Sequence, residues 1–254
     1  MTQEPPQLTP GDSQPLTIPQ VLDILEHGTI EEEVGLLRWS SNYTFLVTLR
    51  QEDVQLSGVY KPRRGERPLW DFPEGTLCLR ERAAWLTSQE LGWELVPPTV
   101  LREGSRGLGS LQFFVNHDPE QHYFTLDESF APQLMRLSLF DIVVNNADRK
   151  GGHCLIDETG HLWGIDHGIT FHTQHKLRTV IWDFAGQPVP SPLLSDLSAL
   201  EAALASPASA YQSKLKALLS EDEIAALSAR IRRLLKTRKY PQPGAGQNYP
   251  WPPV

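Results

Sequence analysis

The chain has 254 residues, a length that fits one large domain or a two-lobed one. A hydrophobic fraction of 40% and a charged fraction of 21% are typical of a soluble globular protein, and no apolar run is long enough to cross a bilayer. The net charge of −8 makes a nucleic-acid partner unlikely, and the polar N-terminus lacks a signal-peptide pattern. Two cysteines, Cys78 and Cys154, give no disulfide framework and favour a reducing, cytoplasmic location.

The first half of the chain predicts a helix followed by antiparallel strands. Residues 1–15 are rich in Pro, Gln and Thr, which predicts a disordered tail. A helical period runs from Thr17 to Gly28. Five strand-like segments follow, over residues 33–39, 43–49, 54–60, 96–101 and 108–115. The polar turn Ser40-Ser41-Asn42 joins the first two, and taken alone it favours a plain hairpin turn.

A lysine follows the third strand directly, and a glutamate lies at the start of the next predicted helix. Lys61 comes directly after this strand, and a helix is predicted over residues 80–91. Glu81 lies in the first turn of this helix, with Glu90 as a second candidate partner at its other end. The loop between the third strand and this helix carries three arginines, Arg63, Arg64 and Arg67. These arginines could contact phosphates or substrate, although a solvated charged loop is an equally good interpretation.

The stretch from Phe140 to Phe171 predicts a helix, a polar loop and a tight hairpin. Residues 131–144 have helical character, and the loop runs from Asn145 to Gly152. Two short apolar segments, 154–156 and 162–165, flank a turn and predict a β-hairpin.

Because the two ends of a hairpin lie close together, three polar side chains should converge at its mouth. His153 enters the hairpin, Asp166 leaves it, and Asp148 lies just upstream. Carboxylates are rarely gathered unless a cation or a reacting proton needs them. The stretch therefore predicts a site.

Beyond it, residues 179–184 are either a short strand or a wall of the substrate cleft. Helices are predicted over 192–205, 208–219 and 221–235, before a Pro/Gly-rich extended tail over 239–254.

The spacing of these residues resembles an atypical kinase superfamily. That superfamily includes the phosphatidylinositol 3-/4-kinases and the HipA-type kinases, whose catalytic loop reads Asp-Arg-x-x-x-Asn. Here Asp148-Arg149-Lys150-Gly151-Gly152-His153 has His at the Asn position, and Asp166-His167-Gly168 resembles the Asp-x-Gly motif. More closely, the sequence resembles an uncharacterised bacterial branch of that superfamily.

The resemblance implies an α+β, two-lobed, protein-kinase-like fold with an antiparallel-sheet N-lobe over 16–116 and a mainly helical C-lobe over 117–238. It implies an ATP-dependent phosphotransferase that uses Mg²⁺ or Mn²⁺. Lys61 would hold the nucleotide phosphates and Glu81 would hold Lys61. Asp148 would act on the attacking hydroxyl. The acceptor stays open between a protein, a lipid headgroup and a small molecule, and transfer of AMP is an alternative to transfer of phosphate.

The resemblance also implies further nucleotide and metal contacts. Asp166 and His153 would bind the metal, and the turn from Ser40 through Ser41 to Asn42 would cover the phosphates. The candidates for adenine contact lie in the strand that crosses to the second lobe: Gln112, Phe113, Phe114 and Val115.

The departure at His153 leaves alternatives open. Magnesium prefers oxygen ligands, so an imidazole suits Mn²⁺ better, and Asn146 is a second candidate ligand. A working His153 must be neutral, which predicts loss of activity below its unperturbed pKa of about 6.5. A nucleotide-binding pseudokinase without turnover is one alternative. A metal-dependent hydrolase is another, because five histidines lie close together with Cys154: His153, His161, His167, His172 and His175.

Overall fold

A computed structural model describes residues 16–36 and 43–254. The α-helices are α1 (Ile18–His27), α2 (Leu77–Glu90), α3 (Ala131–Val144), α4 (Ser191–Ala205), α5 (Ala210–Lys216) and α6 (Glu221–Thr237). The strands are β1 (Thr29–Leu36), β2 (Phe45–Gln51), β3 (Val54–Pro62), β4 (Thr99–Gly104), β5 (Gly107–Phe113), β6 (Cys154–Ile156) and β7 (Leu162–Gly164). Short 3₁₀ turns cover Arg63–Gly65, Tyr123–Thr125, Glu128–Phe130 and Gly151–His153.

A five-stranded antiparallel sheet forms the N-terminal part of the fold. Its strand order is β1-β2-β3-β5-β4, so β5 lies between β3 and β4. In this register Lys61 pairs with Ser110 and Gly58 pairs with Phe113. The strand that carries the candidate lysine therefore lies beside the strand that leads out of the sheet.

Two hydrophobic cores lie in the described chain. In the smaller core, α1 packs Val21, Ile24 and Leu25 against apolar side chains of the sheet. The larger core joins the helices that follow the sheet, and it also includes Ala83 and Trp85 from the middle of α2. The α2 helix therefore shares its core with the C-terminal helices, although it lies in the N-terminal half of the chain.

Two polar contacts attach α2 further to these helices. The fully buried Arg80 forms an ion pair with Glu223 of α6 and donates a hydrogen bond to the carbonyl of Thr170 at 2.6 Å. The Thr87 hydroxyl lies 2.9 Å from that of Tyr211 on α5. A buried ion pair that loses one partner is strongly destabilising, so these contacts fix the orientation of α2.

Most predicted elements are present, with shifted ends. The α3 helix has the predicted bounds and ends at Asn145, which adopts a left-handed φ of 57°. The α2 helix begins at Leu77, three residues before the predicted start at residue 80. The carboxylate of Glu66 explains the shift, since it accepts hydrogen bonds from the backbone N–H groups of Leu77 (3.1 Å) and Cys78 (2.8 Å).

Other segments differ from the predictions. The strand considered for residues 179–184 does not form, and only Thr179 makes a bridge, to Arg149. Residues 239–254 have little regular structure but pack against the fold, and Tyr240 is buried. The outer part of the first predicted strand, residues 37–39, and the tail over 1–15 lie outside the described residues. The lobe boundary at 116/117 stays a prediction.

Cys78 and Cys154 are both buried and unpaired. No helix in the described part of the chain has the length and apolar character needed to cross a membrane.

Candidate functional site

The structure brings Lys61, Glu81 and Asp166 together. The Lys61 ammonium lies 2.6 Å from a Glu81 carboxylate oxygen and 3.0 Å from Asp166 Oδ1. Burial lowers the pKa of Lys61, but the two carboxylates outweigh it and hold that pKa above its usual range. Lys61 is therefore a permanent cation at the junction of β3, α2 and the Asp-x-Gly motif (Asp166-His167-Gly168).

Glu81 has both carboxylate oxygens engaged. One oxygen binds Lys61, and the other accepts a hydrogen bond from the backbone N–H of His167 at 3.0 Å. Glu81 is buried, whereas Glu90 is exposed at the other end of α2. The geometry thus selects Glu81 over Glu90 as the partner of Lys61.

A fully buried arginine holds the two ends of the hairpin. Arg149 makes a two-pronged ion pair with Asp141 of α3, at 2.9 and 3.0 Å. Its guanidinium also donates to the carbonyls of His153 (3.2 Å) and Ile165 (2.7 Å) and lies 2.7 Å from His167 Nε2. These bonds explain why the catalytic loop (Asp148–His153) and the Asp-x-Gly motif lie side by side.

Asp141 was not among the predicted site residues. Its signal is a lone aspartate inside the apolar run LSLFDIVV. A charge at a position that must be buried requires a partner, and Arg149 supplies it.

His153 and Asp166 face each other as the hairpin predicts. His153 Nε2 lies 3.4 Å from Asp166 Oδ2. Burial lowers the pKa of His153 to about 4, so its ring is neutral at physiological pH. The charge of Lys61 holds the pKa of Asp166 well below its usual range. Asp166 also has a left-handed φ of 61°, a strained conformation that is concentrated at functional sites.

This pair fits a divalent metal on the basis of its donor set. An ionised carboxylate and a neutral imidazole are both metal ligands, and the 3.4 Å between Asp166 Oδ2 and His153 Nε2 is short enough for one ion to contact both. Asn146 does not share in this arrangement. Its side chain is buried, donates to Asp141 Oδ1 at 2.9 Å and accepts from the N–H of Asp148 at 3.0 Å.

Asp148 has a different environment from Asp166. Burial raises the pKa of its carboxyl group to about 6, and the nearby charge of Asp166 adds to this effect, while Lys150 opposes it. Lys150 Nζ lies 3.5 Å from Asp148 Oδ2. Lys150 had no predicted role, although its position two residues after Asp148 was a usable signal.

The candidates for adenine contact separate by their hydrogen bonds. The N–H groups of Phe113 and Phe114 donate to the carbonyls of Pro98 (2.8 Å) and Ser57 (3.0 Å), and the buried Gln112 amide donates to Thr99 Oγ1 at 2.8 Å. Among the described residues, the N–H of Val115 has no protein acceptor. Val115 is therefore the candidate with an open backbone donor. Ser40, Ser41 and Asn42 lie outside the described residues.

The segment before the chain end contacts the catalytic loop. The N–H of Gly151 donates to the carbonyl of Pro253 at 2.7 Å, and the N–H of Thr179 donates to that of Asn248 at 3.0 Å. A side chain at Gly151 would meet the ring of Phe124 at 2.7 Å, so glycine is required where these segments meet.

The remaining clustered histidines disperse. His161 binds the carbonyl of Glu94, His172 binds that of Asp71, and His167 is buried beside Arg149. In the described ranges, no group of three or more His, Cys, Asp or Glu side chains is arranged to hold a metal ion. The histidine cluster that prompted the hydrolase alternative is thus divided among separate contacts in these ranges.

Comparisons with known proteins identify a family and similar structures. Residues 103–213 match the family described as phosphatidylinositol 3- and 4-kinase. Protein Rv2133c of Mycobacterium tuberculosis is 37% identical in an alignment that covers 86% of this chain and 90% of that protein. The Helicobacter pylori proinflammatory kinase CtkA is 12% identical with a TM-score of 0.50, over 85% of this chain and 94% of that one. The Golgi casein kinase is 14% identical with a TM-score of 0.49, over 89% of this chain and 79% of that one.

The fold is thus a two-lobed, kinase-like α+β fold, with an antiparallel-sheet lobe and a helical lobe. The chain belongs to the phosphatidylinositol 3-/4-kinase-like family of atypical kinases.

Proposed function

We propose that the protein is an ATP-dependent phosphotransferase that moves the γ-phosphoryl group of ATP to a hydroxyl acceptor. The observation that supports it most is the position of the Lys61 ammonium between Glu81 and Asp166. Family membership makes ATP the expected donor. The acceptor stays open between a protein, a lipid headgroup and a small molecule.

In this proposal Lys61 binds the phosphates of ATP and Glu81 keeps the ammonium in place. Because Glu81 also binds the backbone of the Asp-x-Gly motif, the lysine and Asp166 are held in one arrangement. Such preorganised charges act where negative charge is redistributed during phosphoryl transfer. The open N–H of Val115 is the proposed contact for adenine, and the turn from Ser40 to Asn42 is the proposed phosphate cover.

Asp166 and His153 would hold Mg²⁺ or Mn²⁺, with phosphate oxygens as further ligands. A bound divalent ion supplies charge neutralisation at the phosphates. The protein's own contribution is an ionised carboxylate and a neutral imidazole whose Oδ2 and Nε2 atoms lie 3.4 Å apart.

Asp148 is the proposed base. As the acceptor oxygen bonds to phosphorus, the bond from phosphorus to the leaving oxygen of ADP breaks, and the hydroxyl proton passes to the Asp148 carboxylate. A pKa of about 6 keeps this carboxylate ionised at neutral pH yet basic enough to accept the proton. Lys150, next to Asp148, would neutralise charge on the transferring group.

A thermal-shift titration tests the proposal. ATP with Mg²⁺ or Mn²⁺ should raise the melting temperature in a saturable, concentration-dependent way, because a ligand that binds only the folded state stabilises it. Lys61→Met should abolish this shift, and the exposed-site control Lys216→Met should retain it. Folded protein with no shift at millimolar nucleotide would contradict the proposal.

His153 at the Asn position favours one second candidate, a pseudokinase that binds nucleotide without turnover. Nucleotide-dependent stabilisation without ADP formation identifies that case. A cytoplasmic location, suggested by the two unpaired cysteines, stays a prediction.

A further inference from the structure

A cavity of about 400 Å³ opens beside the start of α2, and the site described above does not use it. The loop between β3 and α2 forms its walls, and three exposed arginines line it: Arg63, Arg64 and Arg67. Three cations within residues 63–67 contrast with the formal charge of −8 on the whole chain. With Glu66 and Glu74 in the same lining, the cavity keeps a formal excess of one positive charge.

Two carboxylates, Glu66 and Glu74, also line the cavity. Glu66 is directed at the N-terminus of α2, where two backbone N–H groups bind it, so its charge is compensated there. Within the described ranges, neither Arg63 nor Arg64 forms a salt bridge with a carboxylate. In these ranges both guanidinium groups therefore keep donors for an anion, although Arg64 Nε and a Glu103 oxygen both lie beside the Cβ position of Gly107, at 4.0 and 3.8 Å.

Packing positions one of these arginines. Gly75 has a φ of +73°, and a Cβ at this residue would clash with the guanidinium of Arg63. Glycine thus leaves the space in which the Arg63 side chain packs on the loop. A guanidinium held in this way loses less freedom when it binds a ligand.

The cavity lies next to the Asp-x-Gly motif. Leu77 lines the cavity, and its Cβ lies 3.4 Å from the position of a Cβ on Gly168. The same loop is fixed to the segment after the motif, since the ring of His172 binds the carbonyl of Asp71 at 2.9 Å and packs edge-on against Phe72. The cavity therefore borders the Asp-x-Gly motif through Leu77, and its loop is tied to the segment that follows this motif.

We propose that this cavity binds a phosphate group carried by a soluble compound or by a lipid headgroup. The planar, permanently charged guanidinium group can donate paired hydrogen bonds to phosphate oxygens. The two guanidinium groups of Arg63 and Arg64 together carry the charge that balances a phosphate dianion. We assign this phosphate to the acceptor substrate of the transfer, and that assignment rests on the proposed function. The binding of phosphate to the cavity does not.

Isothermal titration calorimetry with inorganic phosphate tests the site. Arg63→Gln/Arg64→Gln should weaken phosphate binding about tenfold or more, as expected for loss of charged hydrogen bonds. Arg50→Gln/Arg232→Gln, which removes two charges from side chains 45% and 69% exposed elsewhere, should leave it unchanged. Equal weakening in both variants, or no phosphate binding by the wild type at millimolar concentration, would overturn the proposal.

ATP titrations of the same proteins separate this inference from the proposed function. We expect unchanged ATP affinity in Arg63→Gln/Arg64→Gln, and an equal loss of ATP and phosphate affinity would place the arginines in the nucleotide site instead. A wild type that binds phosphate through the arginines but does not bind ATP would refute the phosphotransferase and leave the cavity site standing.

Phenylglyoxal labelling keeps the test valid if the variant misfolds. Phosphate should slow modification of Arg63 and Arg64 in the wild type, mapped by mass spectrometry, and equal rates with and without phosphate would overturn the site.

Sedimentation with phosphatidylcholine vesicles, with and without phosphatidic acid, distinguishes a lipid headgroup from a soluble compound as the carrier of the phosphate. Arginine-dependent sedimentation indicates a lipid headgroup, and phosphate binding without sedimentation indicates a soluble compound.

Discussion

The catalytic loop and the Asp-x-Gly motif each present one aspartate, and the two carboxylates have opposite electrostatic environments. Asp166 contacts the Lys61 ammonium at 3.0 Å, and its pKa is lowered. Asp148 has Lys150 at 3.5 Å, but burial outweighs this cation and raises its pKa to about 6. Identical side chains in neighbouring loops are thus suited to different tasks, one to permanent charge and the other to proton transfer.

The largest expected effect is on turnover in Asp148→Asn. Loss of a general base typically lowers turnover by about 10² to 10⁴, while nucleotide binding should persist because Asp166 and Lys61 are untouched. ADP formation and ATP affinity are measured on the same preparation. If ATP affinity falls as steeply as turnover, Asp148 belongs to the binding site and the contrast between the two aspartates disappears.

The next largest effect is on metal and nucleotide affinity in Asp166→Asn. Removing the ionised ligand should weaken binding of Mn²⁺ in the presence of ATP by about tenfold or more. Titration followed by electron paramagnetic resonance measures free Mn²⁺ directly. Asp222→Asn, an exposed aspartate in the first turn of α6, is the matched control and should bind as the wild type does.

The pH profile of turnover sharpens the comparison further. Asp148 must be ionised to act as a base, so turnover should fall about tenfold per pH unit once the pH drops below the pKa of about 6. His153, with a pKa lowered to about 4, stays neutral through this range. The loss of turnover at low pH, which was expected from His153 near pH 6.5, is therefore attributed to Asp148 near pH 6. If turnover in His153→Asn no longer fell at low pH, the fall would belong to His153 and this conclusion would be wrong.

The smallest expected effect is on metal preference. His153→Asn replaces an imidazole with an amide oxygen, so the ratio of turnover with Mg²⁺ to turnover with Mn²⁺ should rise by a factor below about ten. Initial rates with each metal at saturating ATP give the ratio. An unchanged ratio would make His153 a structural residue that leaves Asp166 as the protein's metal ligand.

The sequence predicted those features that depend on residues close to one another in the chain. The approach of His153 to Asp166 follows from a hairpin of a few residues, and α3 follows from its own periodicity. Lys61 and Glu81 were found through the resemblance, and the structure places them in contact.

The parts that could not be predicted depend on distant partners. The α2 helix starts early because Glu66 caps it from outside the helix, and local propensity does not contain that contact. Arg80 pairs with a residue 143 positions away, and the carbonyl of Pro253 meets Gly151 through the path of the last segment. No periodicity encodes which distant polar group will satisfy a buried one.

The attachment of α2 to the helical lobe has a consequence for motion. Lys61 lies on strand β3, whereas Glu81 lies on α2, which packs Ala83 and Trp85 into the larger core and also bonds β4 through Arg82 and the carbonyl of Thr99. A rotation of β3 relative to α2 would lengthen the Lys61–Glu81 pair, because its two side chains lie on different elements. The Lys61–Glu81 separation would therefore report any such opening of the site during nucleotide exchange.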